Sequence, residues 1–264
     1  QELVTVTGEA PLIDMRSNAR ATNFNQEALQ NIPSARDPWV ILQQSAGVMM
    51  DRENIGGNMS GQQSGYVARG AGGTQGKWNL DGVDITDMNA TGASPVYYDF
   101  DSFEEMQITT GGADVTMQTA GVGVNLVTKS GSDKFKGSAR FYVTDQKFQA
   151  TNVTDALRQT GASSGAPIQN IKDYGFEMGG PIVKGKAWIW GSYGKNDIKV
   201  GVNGFFLPTP ECDAQVRKNP TSIQPRGVIK TTAELAAVPF DTIKDCLNTD
   251  LTTLESYNLK FNYR

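Results

Sequence analysis

Alternation of apolar and polar residues dominates the second half of the chain, in stretches at 135–144, 174–179 and 256–263. A period of two residues predicts β-strands. Segments of about ten residues with one apolar and one polar face are typical of strands that cross a bilayer, although a half-buried sandwich has the same period. The apolar positions are Ala139, Phe141, Val143, Tyr174, Phe176, Met178, Tyr257, Leu259, Phe261 and Tyr263.

The lengths of the connections distinguish these two folds. Only Pro181–Gly185 separates the strand near Phe176 from a strand around 187–195, whereas 145–172 and 200–253 are long, polar connections. Outer-membrane barrels have short turns on the periplasmic side and long loops outside. We therefore predict four antiparallel barrel strands with two long extracellular loops. Aromatic residues that would supply the membrane-interface girdle are Trp188, Trp190, Tyr193, Phe205 and Phe206.

The first half contains short β-prone runs, each closed by glycine: 66–70, 78–84, 105–112 and 121–129. Asp81-Gly82 is a strong signal for a turn. Before these runs, 25–31 is predicted as a helix with Asn25 as its N-cap, and 36–45 as a second helix with Pro38 and Trp39 in its first turn. The polar, glycine-rich stretch 49–65 is predicted as a long loop.

In this order the four runs resemble the plug domain of TonB-dependent outer-membrane receptors. Arg69-Gly70 matches that family's Arg-Gly strand, Asp81-Gly82 its Leu-Asp-Gly-Val strand, and Lys129 ends its Gly-Val-x-Asn-x-Val-Thr-Lys strand. The turn Gly-Pro-Ile-Val-Lys-Gly-Lys at 180–186 is similar to the first periplasmic turn of Oar-like receptors.

This resemblance implies an α+β plug domain with a small mixed sheet, followed by the first four antiparallel strands of a transmembrane β-barrel that this chain does not complete. Plugged transporters have 22 strands, so we expect the chain to be the N-terminal portion of a longer polypeptide. The predicted divisions are an N-terminal segment at 1–8, the plug at 9–131, and the start of the barrel at 132–264.

The N-terminal segment has two interpretations that need not exclude each other. Its β-branched run predicts a first strand of the plug sheet. It also resembles the TonB box, an extended segment that adds a strand to the sheet edge of TonB. The residues concerned are Glu2, Leu3, Val4, Thr5, Val6 and Thr7.

The family resemblance implies energised import into a bacterial cell through the outer membrane. The partners implied are TonB with its inner-membrane proton-driven complex, outer-membrane lipid, a surface lipoprotein, and an extracellular ligand that is a sugar, a peptide or a metal chelate. The rival interpretation is a non-transporting barrel that acts as an adhesin or surface scaffold. Plug residues expected to face the ligand are Asn58, Gln62, Asn89, Tyr97 and Tyr98. Packing of the two tyrosines against the barrel wall is the alternative.

Composition excludes several other functions. The 264 residues carry a net charge of −4 and no histidine, which gives no support to nucleic-acid binding and excludes histidine-dependent catalysis. The run 180–186 has the spacing of a phosphate loop, but a strand pattern follows where that loop needs a helix. No catalytic constellation is present, so we expect no enzyme activity. Aspartates at 81, 84, 87, 99 and 101 are interpreted as a turn and solvated loop charges, with a calcium site as the alternative.

Two cysteines, Cys212 and Cys246, lie in the second long connection. Their separation does not match a metal site, so they are either bonded or free thiols. We expect a disulfide, because the connection has little apolar content to order it otherwise.

Overall fold

A computed structural model describes residues 20–51, 59–89, 92–94, 96–112, 121–161, 165–218 and 227–264. Segment 1–8 and Asn58 therefore lie outside the described residues. No helix in the described ranges has the length and apolar character needed to cross a bilayer.

The first half of the chain forms a mixed sheet, here called the plug sheet, with strand order β1-β7-β8-β5-β6. Strands β5 and β8 run parallel and the other neighbours are antiparallel. A smaller antiparallel sheet contains β2, β3 and β4. The strands are β1 (Arg20–Asn25), β2 (Val48–Met50), β3 (Tyr66–Ala68), β4 (Ala71–Gly72), β5 (Lys77–Leu80), β6 (Val83–Asp84), β7 (Phe103–Gly111) and β8 (Gly123–Thr128).

Two tight hairpins in this half follow directly from the sequence. Asp81 and Gly82 have φ of +49° and +82°, and Leu80 pairs with Val83 across them. Arg69 and Gly70, with φ of +50° and +83°, connect β3 to β4 in the same way. Positive φ at both central residues is the type I′ geometry that matches the twist of a hairpin. The predicted turn at Asp81-Gly82 is thereby confirmed.

Two helices pack on the plug sheet. Helix α1 (Gln26–Asn31) begins as predicted, with Asn25 Oδ1 accepting the Ala28 N–H at 2.9 Å. The second prediction, 36–45, was too long at both ends: α2 is Pro38–Leu42, capped by Asp37. Arg36 has φ of +59°, which no right-handed helix accommodates. After Leu42 the amides donate to carbonyls three residues back, so the chain continues as tight turns.

A single apolar core joins α1, α2 and the plug sheet. Its fully buried side chains lie on α2, β5, β7 and β8, which explains why these short elements are ordered. They include Ile41, Leu42, Trp78, Met106, Ile108, Val124 and Leu126.

The second half forms an antiparallel sheet, here called the wall, with strand order β14-β11-β10-β9. Its strands are β9 (Lys136–Asp145), β10 (Ile168–Val183), β11 (Ala187–Phe206) and β14 (Leu247–Tyr263). The turn at 184–186 joins β10 to β11 and marks the turn end of the wall. Long connections at 146–167 and 207–246 mark its loop end. The wall is open, as the prediction of an incomplete barrel required.

Three of the wall strands are longer than the ten residues predicted. They contain 16, 20 and 17 residues in β10, β11 and β14, more than the apolar band of about 25 Å needs. The predicted loops 145–172 and 200–253 were therefore too wide. Their ends are polar but paired, as with Asp197 opposite Thr253, because strands that project beyond the bilayer have no need of an apolar face.

The predicted alternation is confirmed on the outward face, where Met178, Tyr257, Leu259 and Tyr263 are strongly exposed. The prediction of a membrane-interface girdle was wrong for Trp190. Its side chain is buried on the inward face, which it shares with every second residue of β11. Phe206 is buried in the loop core described next. Tyr193 faces outward, with its ring centroid 5.1 Å from that of Tyr257.

The described residues of the connection 207–246 form a folded unit, here called the cap. It contains α4 (Pro210–Val216), α5 (Thr232–Ala236), α6 (Phe240–Asp245) and a small hairpin of β12 (Arg217–Lys218) and β13 (Val228–Ile229). The Cys212–Cys246 disulfide is present, with the two Cα atoms 5.4 Å apart. The prediction of little ordering apolar content was wrong, since the cap has its own core. That core contains Phe206, Cys212, Val216, Leu235, Val238, Ile243, Cys246 and Leu247.

The other long connection docks on the cap through one buried arginine. Arg158, on α3 (Asp155–Gln159), donates from Nη2 to the carbonyl oxygens of Leu235 at 3.0 Å and Val238 at 2.5 Å. Its guanidinium also lies 5.8 Å from the ring centroid of Phe240. The two connections at the loop end are therefore packed together.

Candidate functional site

The plug sheet lies against the inward face of the wall. The positions of its contacts along the wall strands show which end of the plug faces which end of the wall. The turn Asp81-Gly82 contacts Lys260, which pairs with Trp190 near the turn end. Gly61 lies closer to the loop end of the wall, because a Cβ atom on it would be 3.3 Å from Thr252 Cβ. Eight residues of strand, about 27 Å, separate these two wall positions. The plug loop that contains Gly61 thus faces the loop end.

Two plug loops meet at the loop end. The Gln63 amide donates to the carbonyl oxygen of Ser94 and accepts the Ser94 N–H at 3.2 Å. Tyr97 donates its hydroxyl proton to Gln62 Oε1 at 2.9 Å. These bonds fix the loop before β3 against the loop before β7.

Tyr98 is half-buried among the plug's own aromatic side chains. Its ring centroid lies 5.5 Å from that of Phe103 in an edge-on arrangement and 6.2 Å from that of Trp39. Burial raises the pKa of Tyr98 above its ordinary value, against an opposing hydrogen bond with Ser94. This side chain packs in the plug core more than in the open lumen.

The residues predicted to face the ligand are thus only partly brought together. Gln62 and Tyr97 are joined and partly exposed, and Asn89 lies beside a neighbouring cavity with its backbone N–H bonded to Asp87 Oδ1. Their role in binding remains a prediction.

That cavity has a volume of about 550 Å³ and lies between the two plug loops. It is lined by Ser64, Tyr66, Thr74 and Asn89, with the indoles of Trp39 and Trp78 beside them. Trp78 is fully buried and donates from Nε1 to the carbonyl oxygen of Gly92 at 3.0 Å. The size falls within the range of small-molecule sites.

A network of charges joins the plug to the wall at mid-height. Arg140, on β9, lies 2.5 Å from Asp99 Oδ1 through Nη2, 3.0 Å from Asp101 through Nη1 and 3.1 Å from Asp173 through Nε. Arg36 bonds the same Asp101 and Asp173 at 2.8 Å and 2.6 Å, and its guanidinium lies 4.7 Å from the Tyr142 ring centroid. Burial raises the pKa of Asp99, and the Arg140 charge opposes that shift.

Two lysines make further contacts between plug and wall. Lys129 ends the last plug motif and bonds Glu177 on β10 at 2.6 Å, with both side chains mostly buried. Lys260, on β14, donates to Asp81 Oδ1 at 3.1 Å and to the Thr128 carbonyl oxygen at 3.0 Å. Lys129 and Asp81, singled out as plug motif residues, therefore both bond the wall. Arg69 and Gly70 form a turn inside the plug.

Several of the aspartates considered as calcium ligands are bonded to other groups of the protein. Asp81 bonds Thr128 and Lys260, Asp84 pairs with Lys77 at 3.3 Å, and Asp99 and Asp101 pair with arginines. Within the described ranges, no group of three or more His, Cys, Asp or Glu side chains is arranged to hold a metal ion.

Comparison with known proteins matches nearly the whole chain to two adjoining domains. Residues 14–124 match the TonB-dependent Receptor Plug Domain, and residues 127–242 match an outer membrane beta barrel domain. The TonB-dependent transporter Oar of Myxococcus xanthus is 28% identical over 198 residues. The chain belongs to the TonB-dependent receptors. It is accordingly a protein of the outer membrane.

Solved TonB-dependent receptors share this fold. The siderophore receptor PirA of Acinetobacter baumannii matches 67% of this chain with a TM-score of 0.50 and 19% identity. A mutant of the ferric enterobactin receptor PfeA of Pseudomonas aeruginosa, in complex with enterobactin, matches 75% with a TM-score of 0.50 and 14% identity.

This receptor chain spans only a fraction of those relatives. The match covers 73% of the chain but 18% of the Oar transporter, and 24% and 28% of the two solved receptors. Placement of the short turn at 184–186 on the periplasmic side, with the cap outside, remains a prediction from the general pattern of outer-membrane barrels.

Sequence reasoning missed the charged residues that anchor the plug. Arg140, Glu177 and Lys260 occupy inward positions of alternating strands, and that position was the available signal. A charge inside a barrel filled by a plug needs a partner, because burial of an unpaired charge is costly. Arg36 gave no comparable signal.

Proposed function

We propose that this receptor imports an extracellular ligand across the outer membrane, energised by TonB and its inner-membrane proton-driven complex. The observation that carries this proposal is the chemistry of the contacts between plug and wall. Ion pairs and hydrogen bonds join them through Arg36, Arg140, Lys129 and Lys260.

Polar contacts of this kind suit a plug that must move and return. When a polar contact separates, water replaces each lost partner, so the net cost is about 0 to 1 kcal/mol for the partly exposed Lys260–Asp81 pair and higher for the nearly buried Arg140–Asp99 pair. Separation of an apolar interface has no such compensation. A pull on the N-terminal segment can then displace the plug without unfolding the barrel.

The Oar relative supports transport as the activity, because it is described as a TonB-dependent transporter. The solved relatives bind siderophores by their descriptions, but at 14–19% identity they support the fold alone. The ligand class proposed at this level remains a sugar, a peptide or a metal chelate. Outer-membrane lipid around the wall and a surface lipoprotein over the cap are the other proposed partners.

The direct test of import begins with identification of the ligand. The ligand that accompanies the receptor during purification from its native cells is identified by mass spectrometry and then supplied in labelled form. We expect uptake that stops when a protonophore collapses the proton gradient, while binding to the cells continues. Uptake that is indifferent to the gradient would contradict the proposal and favour a surface scaffold without transport.

A further inference from the structure

The cavity between the two plug loops lies on the extracellular side of the plug. Gly73 and Thr74, on its border, directly precede β5, whose other end is the Asp81-Gly82 turn near the periplasmic side. Gly65, also on its border, follows the loop that contacts Thr252 on the wall. The border of the cavity at Gly65 therefore lies toward the loop end of the wall.

Two hydroxyl groups in the cavity lining have no hydrogen-bond partner among the described residues. Ser64 and Tyr66 are only 5% and 7% exposed, and neither Ser64 Oγ nor the Tyr66 hydroxyl has a partner within the described part of the chain. Buried polar groups in native structures are nearly always paired, so an unpaired one requires an explanation. One explanation is a ligand that supplies the missing hydrogen-bond partners.

The local backbone leaves room for the Tyr66 hydroxyl. A Cβ atom on Gly76 would clash with this oxygen, so a larger residue at that position would have to displace it. Burial raises the pKa of Tyr66 to about 12, an effect that the nearby Trp78 only partly offsets. The hydroxyl is therefore neutral at physiological pH and can both donate and accept a hydrogen bond.

The rest of the lining is also neutral. Hydroxyl and amide groups of Thr74, Gln63 and Asn89 accompany the two indoles, and the described lining residues include no Asp, Glu, Lys or Arg. A charged ligand would lose its hydration here without gaining a counter-charge. The mid-height network, in contrast, is rich in charge.

We propose that this cavity binds a neutral, hydroxyl-bearing ring of sugar size, with Ser64 Oγ and the Tyr66 hydroxyl as its hydrogen-bond partners. This inference rests on the proposed import function and narrows its ligand class to carbohydrate. A site built to hydrogen-bond a hydroxyl discriminates strongly against compounds that lack one, because its own polar groups are then left unpaired. An anionic metal chelate and a charged peptide do not fit.

The test uses the receptor with its complete barrel, purified in detergent. The probes are glucose, galactose, N-acetylglucosamine and cellobiose, with glucuronate as the charged counterpart, and binding is followed by tryptophan fluorescence. We expect at least one neutral sugar to bind and glucuronate to bind at least tenfold more weakly. The Tyr66→Phe change should weaken sugar binding about five- to tenfold, which corresponds to one lost hydrogen bond.

Tyr263→Phe is the matched control, because it removes the hydroxyl of an exposed tyrosine at the turn end of β14, away from the cavity. It should leave sugar affinity unchanged. Tyr66→Phe should leave the melting temperature almost unchanged, since no described residue forms a hydrogen bond of good geometry with this hydroxyl and the neighbouring Trp78 indole already donates to Gly92. That result separates loss of binding from loss of folding.

Three results would overturn the inference: no binding of any neutral sugar, equal affinity in Tyr66→Phe and wild type, or glucuronate binding as tight as that of glucose. Each can occur while uptake of the native ligand still depends on the proton gradient, and the import function would then stand. A different outcome is that wild type binds a sugar, Tyr66→Phe loses this binding, and no energised uptake is seen. The sugar site would then be supported and the import function contradicted.

Discussion

The ammonium group of Lys260 lies 3.1 Å from Asp81 Oδ1 and so joins wall strand β14 to the Asp81-Gly82 turn of the plug. Asp81 also accepts bonds from the backbone N–H and hydroxyl of Thr128, at 2.9 Å and 2.6 Å. One carboxylate therefore organises both the plug turn and its contact with the barrel.

We expect Lys260→Met to loosen this contact without disturbing the strand. The pair is partly exposed, so its loss should cost about 0.5 to 1 kcal/mol and make the plug more sensitive to protease in isolated outer membranes. Lys172→Met changes an exposed lysine of β10 and serves as the control. Equal protease sensitivity of the two variants would show that the contact does not hold the plug.

Acid should remove the stabilisation that Asp81 gives to the folded state. Burial acts to raise the pKa of Asp81, but hydrogen bonds from Thr128 and Lys260 outweigh it and hold that pKa below its ordinary value. A carboxyl whose pKa is lowered by folding stabilises the folded state above its unfolded pKa of about 3.9, and this stabilisation is lost as the pH falls through the lower folded value. Wild type should therefore be more stable than Asp81→Asn between pH 5 and 7, with the difference in thermal unfolding starting to decrease below about pH 4 and vanishing once the folded carboxyl is protonated. A difference that is unchanged at pH 3 would contradict this assignment.

Arg140 should be the most costly single anchor to remove. Its guanidinium is nearly buried and bonds Asp99, whose side chain is 2% exposed. Arg140→Met leaves that carboxylate without its main partner, which should destabilise the plug by about 3 to 5 kcal/mol. Addition of Asp99→Asn should restore part of the loss, as measured by thermal unfolding. Failure of the double variant to recover would show that Arg140 acts by packing alone.

The sequence allowed correct prediction of features with local causes. Type I′ geometry at Asp81-Gly82 follows from the two residue types, and outward exposure of Tyr257 and Leu259 follows from their alternation. The paired but polar ends of β10 and β11 were interpreted as loops, because strands beyond the bilayer lose the apolar face that identifies them. Arg36 was placed in a helix, since a left-handed φ at a residue other than glycine has no sequence signal.

The candidate site was harder to predict for a physical reason. The bonds from Arg140 to Asp99 and from Lys260 to Asp81 join residues 41 and 179 positions apart. Such pairs depend on how the plug sits within the wall, and no local pattern encodes that. The cap core was missed because its apolar residues are spread over three short helices.

Arg158 should hold the two long connections at the loop end of the wall together. Arg158→Met keeps the length of the side chain but removes the bonds to the carbonyl oxygens of Leu235 and Val238. Loss of charged hydrogen bonds should cost about 1.5 to 3 kcal/mol, so added protease should cut 146–167 faster on intact cells. Lys147→Met, in the same connection, should behave as wild type. Equal cleavage in all three proteins would contradict the docking role.

The orientation of the wall can be measured on whole cells. A cysteine introduced at Ala237 in the cap should react with a membrane-impermeant maleimide, and one at Lys184 in the short turn should react only after the outer membrane is opened. The bonded Cys212 and Cys246 do not react, so the unsubstituted protein is the blank. The reverse pattern of labelling would invert the assigned topology.

We expect the proposed coupling to TonB through Glu2–Thr7 to depend on backbone hydrogen bonds more than on side chains. A proline at Val4 or Val6 removes an amide donor and fixes φ, which an added strand tolerates poorly. The most direct measurement is uptake of the co-purified ligand by intact cells that carry Val4→Pro, Val6→Pro or the control Val6→Thr. We predict that all three bind the ligand, and that both proline variants lose energised uptake while Val6→Thr keeps it. Uptake at the wild-type rate by a correctly inserted proline variant would contradict the account.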